Sequence, residues 1–187
     1  MRRPASLLVL MIGIVGTTTV DESRAGPPGG RPSKADQPPR KVVVGTAIFG
    51  PYGEYPGRDE RLAVLGGLID EMARQSAAKY PGHGLDLAIL PETTVTSTTG
   101  PASARATRLD GPVRATFGAA AREHKTYLIA SMDLAEGGAA RTTYANAAVL
   151  FDRKGEVAGI YRKAHPVAMV GSDEPRGPRP RPGFPRL

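Results

Sequence analysis

The sequence predicts an α/β layered domain, and three observations carry the prediction. Short runs rich in β-branched and aliphatic residues, Val42–Phe49 and Leu85–Leu90, read as strands, the first apolar on both faces as a strand inside a covered sheet must be. Between them Leu62, Leu65, Leu68, Ile69, Met72 and Ala73 recur at three- and four-residue spacing, which marks a helix with one apolar face. A second helix-period run and three more strand-like runs follow, so the order reads β-α-β-α-β-β-β.

Each element has its own start and stop. The first strand opens after Lys41 and ends before Pro51 and Gly53. Asp59 suits the cap position of the first helix, Arg61, Asp70, Glu71 and Arg74 fall between its apolar residues, and Pro81-Gly82 stops it. Gly66-Gly67 inside that helix has no phosphate-loop spacing and reads as a place of close helix packing. The second strand, Leu85–Leu90, ends at Pro91-Glu92, and Thr93–Thr99 follows as a polar loop. Gly111-Pro112 opens the second helix, with proline in the first turn where its missing N–H costs nothing; Val113, Phe117, Ala120 and Ala121 carry it to Lys125. The last strands are Tyr127–Met132, Ala145–Phe151 and Val157–Tyr161, the final two joined by a tight turn at Asp152-Arg153-Lys154-Gly155.

The flanks differ in composition. Met1-Arg2-Arg3, the apolar stretch Leu7–Val15 and the small residues of Ser23-Arg24-Ala25 read as a signal peptide over residues 1–25, with an uncleaved N-terminal membrane anchor as the alternative. Either predicts export to the periplasm or the exterior. Residues 26–40 are rich in proline and glycine and lack core residues, so they read as a flexible linker. The folded unit is expected over residues 41–174, with residues 1–40 outside it. Residues 175–187 alternate proline with arginine and read as a Pro/Arg-rich tail or as an out-of-frame ending.

A formal net charge of +7 and a pI near 10.0 invite a nucleic-acid partner. Yet Lys and Arg balance Asp and Glu one for one over residues 41–174, and no periodic element carries a basic stripe, which argues against that class. The excess sits in the flanks, where the arginine tail offers anionic surfaces a screened attraction.

The chemistry centres on two charges. Glu92 stands at the carboxyl end of a strand, where the sites of open α/β sheets gather. Lys163 follows the last strand in Tyr161-Arg162-Lys163-Ala164-His165-Pro166. Attack on an amide or nitrile carbon needs a base for the nucleophile's proton and a fixed cation for the charge that develops, and Glu and Lys supply those roles. The two are expected near each other at one end of the sheet, after strands that lie side by side. The sequence has no cysteine, hence no disulfide, no lipid-attachment thiol and no thiol nucleophile. His83, His124 and His165 read as a turn residue, a helix-end residue and a loop residue, and no metal site is expected. Tyr52 and Tyr55 read as loop packing.

Taken together, the opening strand and long helix, Leu90-Pro91-Glu92, the stretch Asn146–Gly155 and Tyr161–Pro166 resemble the nitrilase superfamily, the carbon-nitrogen hydrolases, over about residues 41–174. The resemblance implies a partial α-β-β-α sandwich, truncated before the strand that bears the nucleophile, whose full-length form is a homo-oligomer. It implies that Glu92 is the general base, that Lys163 stabilises the tetrahedral intermediate, and that Glu174 is a second glutamate supporting the lysine. The family's nucleophile is a downstream cysteine, which this sequence does not contain. The activity implied is cofactor-free hydrolysis of a small amide, nitrile or N-carbamoyl compound, absent from the chain as it stands; the alternative is an exported, non-catalytic binding or assembly protein with the same fold.

Overall fold

The computed structural model describes residues 9–13, 41–48, 55–138, 141–165, 168–169 and 172–173. The linker 26–40, the tail 175–187, Tyr52 and Glu174 lie outside them. The strands are β1 (Val9–Gly13), β2 (Val43–Ala47), β3 (Leu87–Ile89), β4 (Tyr127–Gly138), β5 (Arg141–Phe151), β6 (Val157–Arg162) and the short pair β7 (Ala168–Met169) and β8 (Ser172–Asp173). The helices are α1 (Arg58–Lys79), α2 (Ala102–Arg105) and α3 (Pro112–Glu123).

One mixed sheet organises the molecule, in the order β1-β2-β3-β4-β5-β6. Strands β2, β3 and β4 run parallel, as expected where helices cross between them, and β4, β5 and β6 form antiparallel hairpins. Helices α1 and α3 pack on each other and cover one face, α1 against β2 and α3 against β4 and β5. The period-2 alternation of the strands decides what they meet: Leu128, Ala130 and Met132 of β4 and Val149 and Phe151 of β5 are buried with Leu65, Ile69 and Met72 of α1 and Val113 and Phe117 of α3. The Phe117 and Phe151 rings sit tilted at 59° with centroids 6.0 Å apart, a favourable offset for two aromatic quadrupoles.

The register places Val44, Leu87, Ile129 and Leu150 on the opposite face, where they are only half-buried, while Ile48 is 64% exposed. The described residues form the helix layer and the main sheet layer of the expected sandwich.

Several elements depart from the sequence reading. Asp59 is not the cap of α1: Gly57 occupies that position with φ 99°, and Asp59 lies inside the first turn, where its charge still favours the positive end of the helix. Strands β4 and β5 run well beyond the apolar runs that announced them, because Ala135 to Gly138 pair with Arg141 to Tyr144 even though most residues there are polar or small. The Thr-rich loop is not merely polar surface, since Thr94, Val95 and Thr96 are buried. Val9–Gly13, expected outside the folded unit, pair antiparallel with β2 from Val9↔Ala47 to Gly13↔Val43; an apolar strand there satisfies an edge that would otherwise present unpaired backbone groups.

The close-packing glycines are also different ones. Gly66 and Gly67 leave room around them, with a hypothetical Cβ at Gly66 meeting only Thr116 at 3.8 Å and one at Gly67 meeting nothing within 4 Å. A Cβ on Gly45 of β2 would instead lie 3.0 Å from Leu85 and 3.1 Å from Met72, so that glycine lets α1 approach the sheet. At the far end, Gly118 of α3 and Gly155 of the β5–β6 turn meet backbone to backbone.

Candidate active site

Glu92 is placed by the end of β3. Leu90 N–H still donates to Ile129 at 2.9 Å, and then Pro91 cannot continue the ladder, so the chain turns outward. The turn is strained: Thr93, a β-branched residue, has φ 52° in the left-handed region. Such a conformation persists only where surrounding contacts over-determine it. Here Thr94 Oγ1 donates to the Pro91 carbonyl at 3.0 Å, Arg61 Nη1 donates to the Thr94 carbonyl at 3.3 Å, and the Tyr55 hydroxyl donates to the Val95 carbonyl at 3.0 Å. Arg61 also stacks its guanidinium over the Tyr55 ring at 5.5 Å. Burial pushes the Tyr55 phenol above its ordinary value, against the pull of Arg61, so it stays a donor at neutral pH. Replacing Thr93 by glycine removes the left-handed penalty, and the expected result is a gain of about 1 kcal/mol in urea unfolding. A loss of stability would show that the Thr93 side chain contributes more than its backbone costs.

Lys163 is placed by β6. Its N–H donates to the Asn146 carbonyl at 2.8 Å, so the last rung of the β5–β6 ladder fixes where its stem begins. From there Nζ reaches Glu92 Oε1 at 2.9 Å. The expectation that β3 and the strand before Lys163 are neighbours is corrected, since β4 and β5 lie between them. The two charges meet because Asn146, in the middle of β5, spans the gap: its Nδ2 donates to the same Glu92 Oε1 at 2.8 Å. Glu92 and Lys163 keep 59% and 29% of their side-chain surface in solvent, so their ion pair contributes at most about 1 kcal/mol.

Beside Asn146 in the register lies Asp133, which is buried and paired with Arg105 of α2. Asp133 N–H donates to Thr96 Oγ1 at 3.2 Å and its carbonyl accepts from Thr107 N–H at 2.9 Å. Those bonds clamp the segment after Glu92 onto β4. They also commit the hydroxyls of Thr94 and Thr96 to the backbone. Farther along, Arg162 pairs with Glu136 across the sheet, and that hydrogen bond raises the Arg162 guanidinium above its ordinary value.

The other candidates fall elsewhere. Glu174 lies outside the described residues. His165 is exposed in a bend, and His124 Nε2 lies 2.7 Å from Asp70 Oδ1, tying α3 to α1. Among the described residues no three His, Asp or Glu side chains gather as a metal site would require, and no helix is long and apolar enough to cross a membrane. Two surface clefts, of about 250 Å³ beside Arg108 and Glu136 and about 320 Å³ beside Arg114 and Gly155, do not include the Glu92–Lys163 pair. Asn146, Arg61, Arg105 and Asp133 carried no mark as site residues in the sequence. The usable signal at Asn146 was a poor strand former within an otherwise apolar strand.

The chain is similar to known proteins over most of the described region. Residues 44–183 match the family model described as Carbon-nitrogen hydrolase. The carbon-nitrogen hydrolase of Helicobacter pylori G27 has a crystal structure that superposes with a TM-score of 0.50 at 24% identity, covering 71% of this chain and 43% of that one. XC1258 of Xanthomonas campestris, a CN-hydrolase superfamily protein crystallised with an arsenic adduct in its active site, gives 0.48 at 20% identity, covering 66% and 43%. An N-terminal amidase crystallised with an Asn-Glu-Ala peptide gives 0.48 at 14%, covering 65% and 28%. This chain thus spans less than half the length of those structures. No curated protein matches it.

Proposed function

We propose that this chain, which belongs to the carbon-nitrogen hydrolase family, carries the base and the cation of a site that hydrolyses small amides, nitriles or N-carbamoyl compounds. The observation that carries the reading is the single point at which Lys163 Nζ and Asn146 Nδ2 meet Glu92 Oε1, 2.9 Å and 2.8 Å away. In this reading Glu92 takes the proton of an attacking nucleophile and returns one to the leaving nitrogen, while Lys163 holds the negative charge that grows on the carbonyl oxygen or nitrile nitrogen. Glu174 supports Lys163, and residues 1–25 direct export.

The nucleophile of the reading is a thiolate, and none of the 187 residues is cysteine. A serine or threonine hydroxyl is a far weaker acid for the same base. Loss of a catalytic nucleophile costs on the order of a millionfold in turnover. The 187-residue chain is therefore expected to release ammonia from amides, nitriles and N-carbamoyl amino acids at background, with Glu92→Ala no slower. Robust release that vanishes in that variant would defeat the argument from the missing thiol. The half-site itself is tested separately: a saturating primary carboxamide should move the backbone amide NMR signals of Asn146 and Lys163 in the chain and not in Lys163→Met. Signals that stay put would end the substrate assignment.

A further inference from the structure

The two donors that reach Glu92 converge on one atom. Asn146 Nδ2 and Lys163 Nζ both donate to Oε1, and among the described residues no donor reaches Oε2. A carboxylate oxygen has two lone-pair directions, so two donors fill Oε1 and hold the carboxylate by one edge. We propose that Asn146 is a positioning residue that makes Oε1 of Glu92 the anchored oxygen and leaves Oε2 as the proton acceptor. The proposal rests on Glu92 being the general base.

Lys163 alone cannot do this. Its ammonium is a rotatable point charge on a four-carbon stem, and both it and Glu92 are substantially solvated, so their pairing tolerates many geometries. Asn146 is different in each respect. It is 5% exposed and sits inside β5, hydrogen-bonded in the sheet on both sides between β4 and β6, and its short side chain has few rotamers. The direction of its amide is also settled chemically: an ionised carboxylate only accepts, so the amide nitrogen must face Glu92.

One residue sets both partners. The Asn146 carbonyl accepts from the Lys163 N–H at 2.8 Å and its side-chain Nδ2 donates to Glu92, so β5 fixes the relative position of base and cation although their own strands are not adjacent. Aspartate would repel Glu92 there, and alanine would leave it held by the lysine alone. A strand interior disfavours asparagine on propensity, which is consistent with a residue present for its side-chain donor.

The test is solution NMR on the full 187-residue chain, which reads the contact without any turnover. The Asn146 side-chain NH₂ pair is expected to be displaced from the random-coil position and to move on Glu92→Gln. In Asn146→Ala the Glu92 side chain should become motionally averaged, its order parameter dropping below about 0.6, while the Lys163 amide signal persists because residue 146 still supplies the carbonyl. An NH₂ pair indifferent to Glu92→Gln, or a Glu92 side chain equally ordered in both proteins, would overturn the proposal. Should Asn146→Ala not fold, Glu92→Gln reads the same contact with β5 intact. Absence of ammonia release touches only the reading of the reaction, so the two failures are distinguishable.

Discussion

Arg105→Ala is expected to lower the free energy of unfolding by about 3–5 kcal/mol, the cost of breaking a buried ion pair from one side. The Arg105 side chain is 9% exposed and Asp133 1%, so the pair is shielded as few others here are. Truncation strands the Asp133 carboxylate in a poor dielectric without its guanidinium. A typical domain is stable by only about 5–15 kcal/mol, so the loss would be visible as a large fall in the urea midpoint. Replacing both partners by apolar residues, Arg105→Met with Asp133→Leu, removes the stranded charge and should recover most of the loss. A deficit below about 1 kcal/mol in Arg105→Ala would place this pair among solvated surface pairs.

What the sequence disclosed and what it concealed divide along a physical line. Residues whose role depends on their neighbours in the chain were legible. The three- and four-residue spacing from Leu62 to Met72 announces α1, Gly111-Pro112 opens α3, and Asp152 to Gly155 closes the last hairpin with the Asp152 carboxylate accepting from the Lys154 and Glu156 N–H groups. Glu92 was legible because Pro91 ends a strand beside it. Residues whose role depends on strands far apart in sequence were not. Asn146 matters because β5 lies between β4 and β6, and Asp133 because a four-residue helix 28 positions upstream supplies its partner. No periodicity encodes either fact. The extension of β4 and β5 was concealed for a related reason: Glu136 to Gly138 and Arg141 to Thr143 become strand by pairing with each other, a tertiary gain that propensity does not record. The Gly66-Gly67 reading failed because adjacent glycines in sequence say nothing of which helix face carries the contact.

The glycines that do carry contacts give the second large effect. Gly155→Ala is expected to cost about 2–5 kcal/mol, from two sources that act together. Its φ of 79° lies where a Cβ is strained in any surroundings, and that Cβ would fall 2.2 Å from the Gly118 carbonyl oxygen, a backbone atom that cannot swing aside. Gly118→Ala meets only the second problem, with its Cβ 2.7 Å from the Gly155 carbonyl, and is expected to cost about 1–3 kcal/mol as α3 is pushed off the turn. The two substitutions share one interface, so the double variant should lose less than the sum: once the helix has moved for one methyl, part of the space for the other already exists. Gly67→Ala supplies the contrast. It lies in the exposed middle of α1 with nothing within 4 Å of the added methyl, so lowering the chain's freedom in the unfolded state should raise stability by about 0.5–1 kcal/mol. Urea unfolding of the four proteins reads all of these signs at once. Strict additivity between positions 118 and 155 would mean that α3 and the β5–β6 turn do not share the contact, and a Gly155→Ala protein as stable as the parent would place the turn away from the helix altogether.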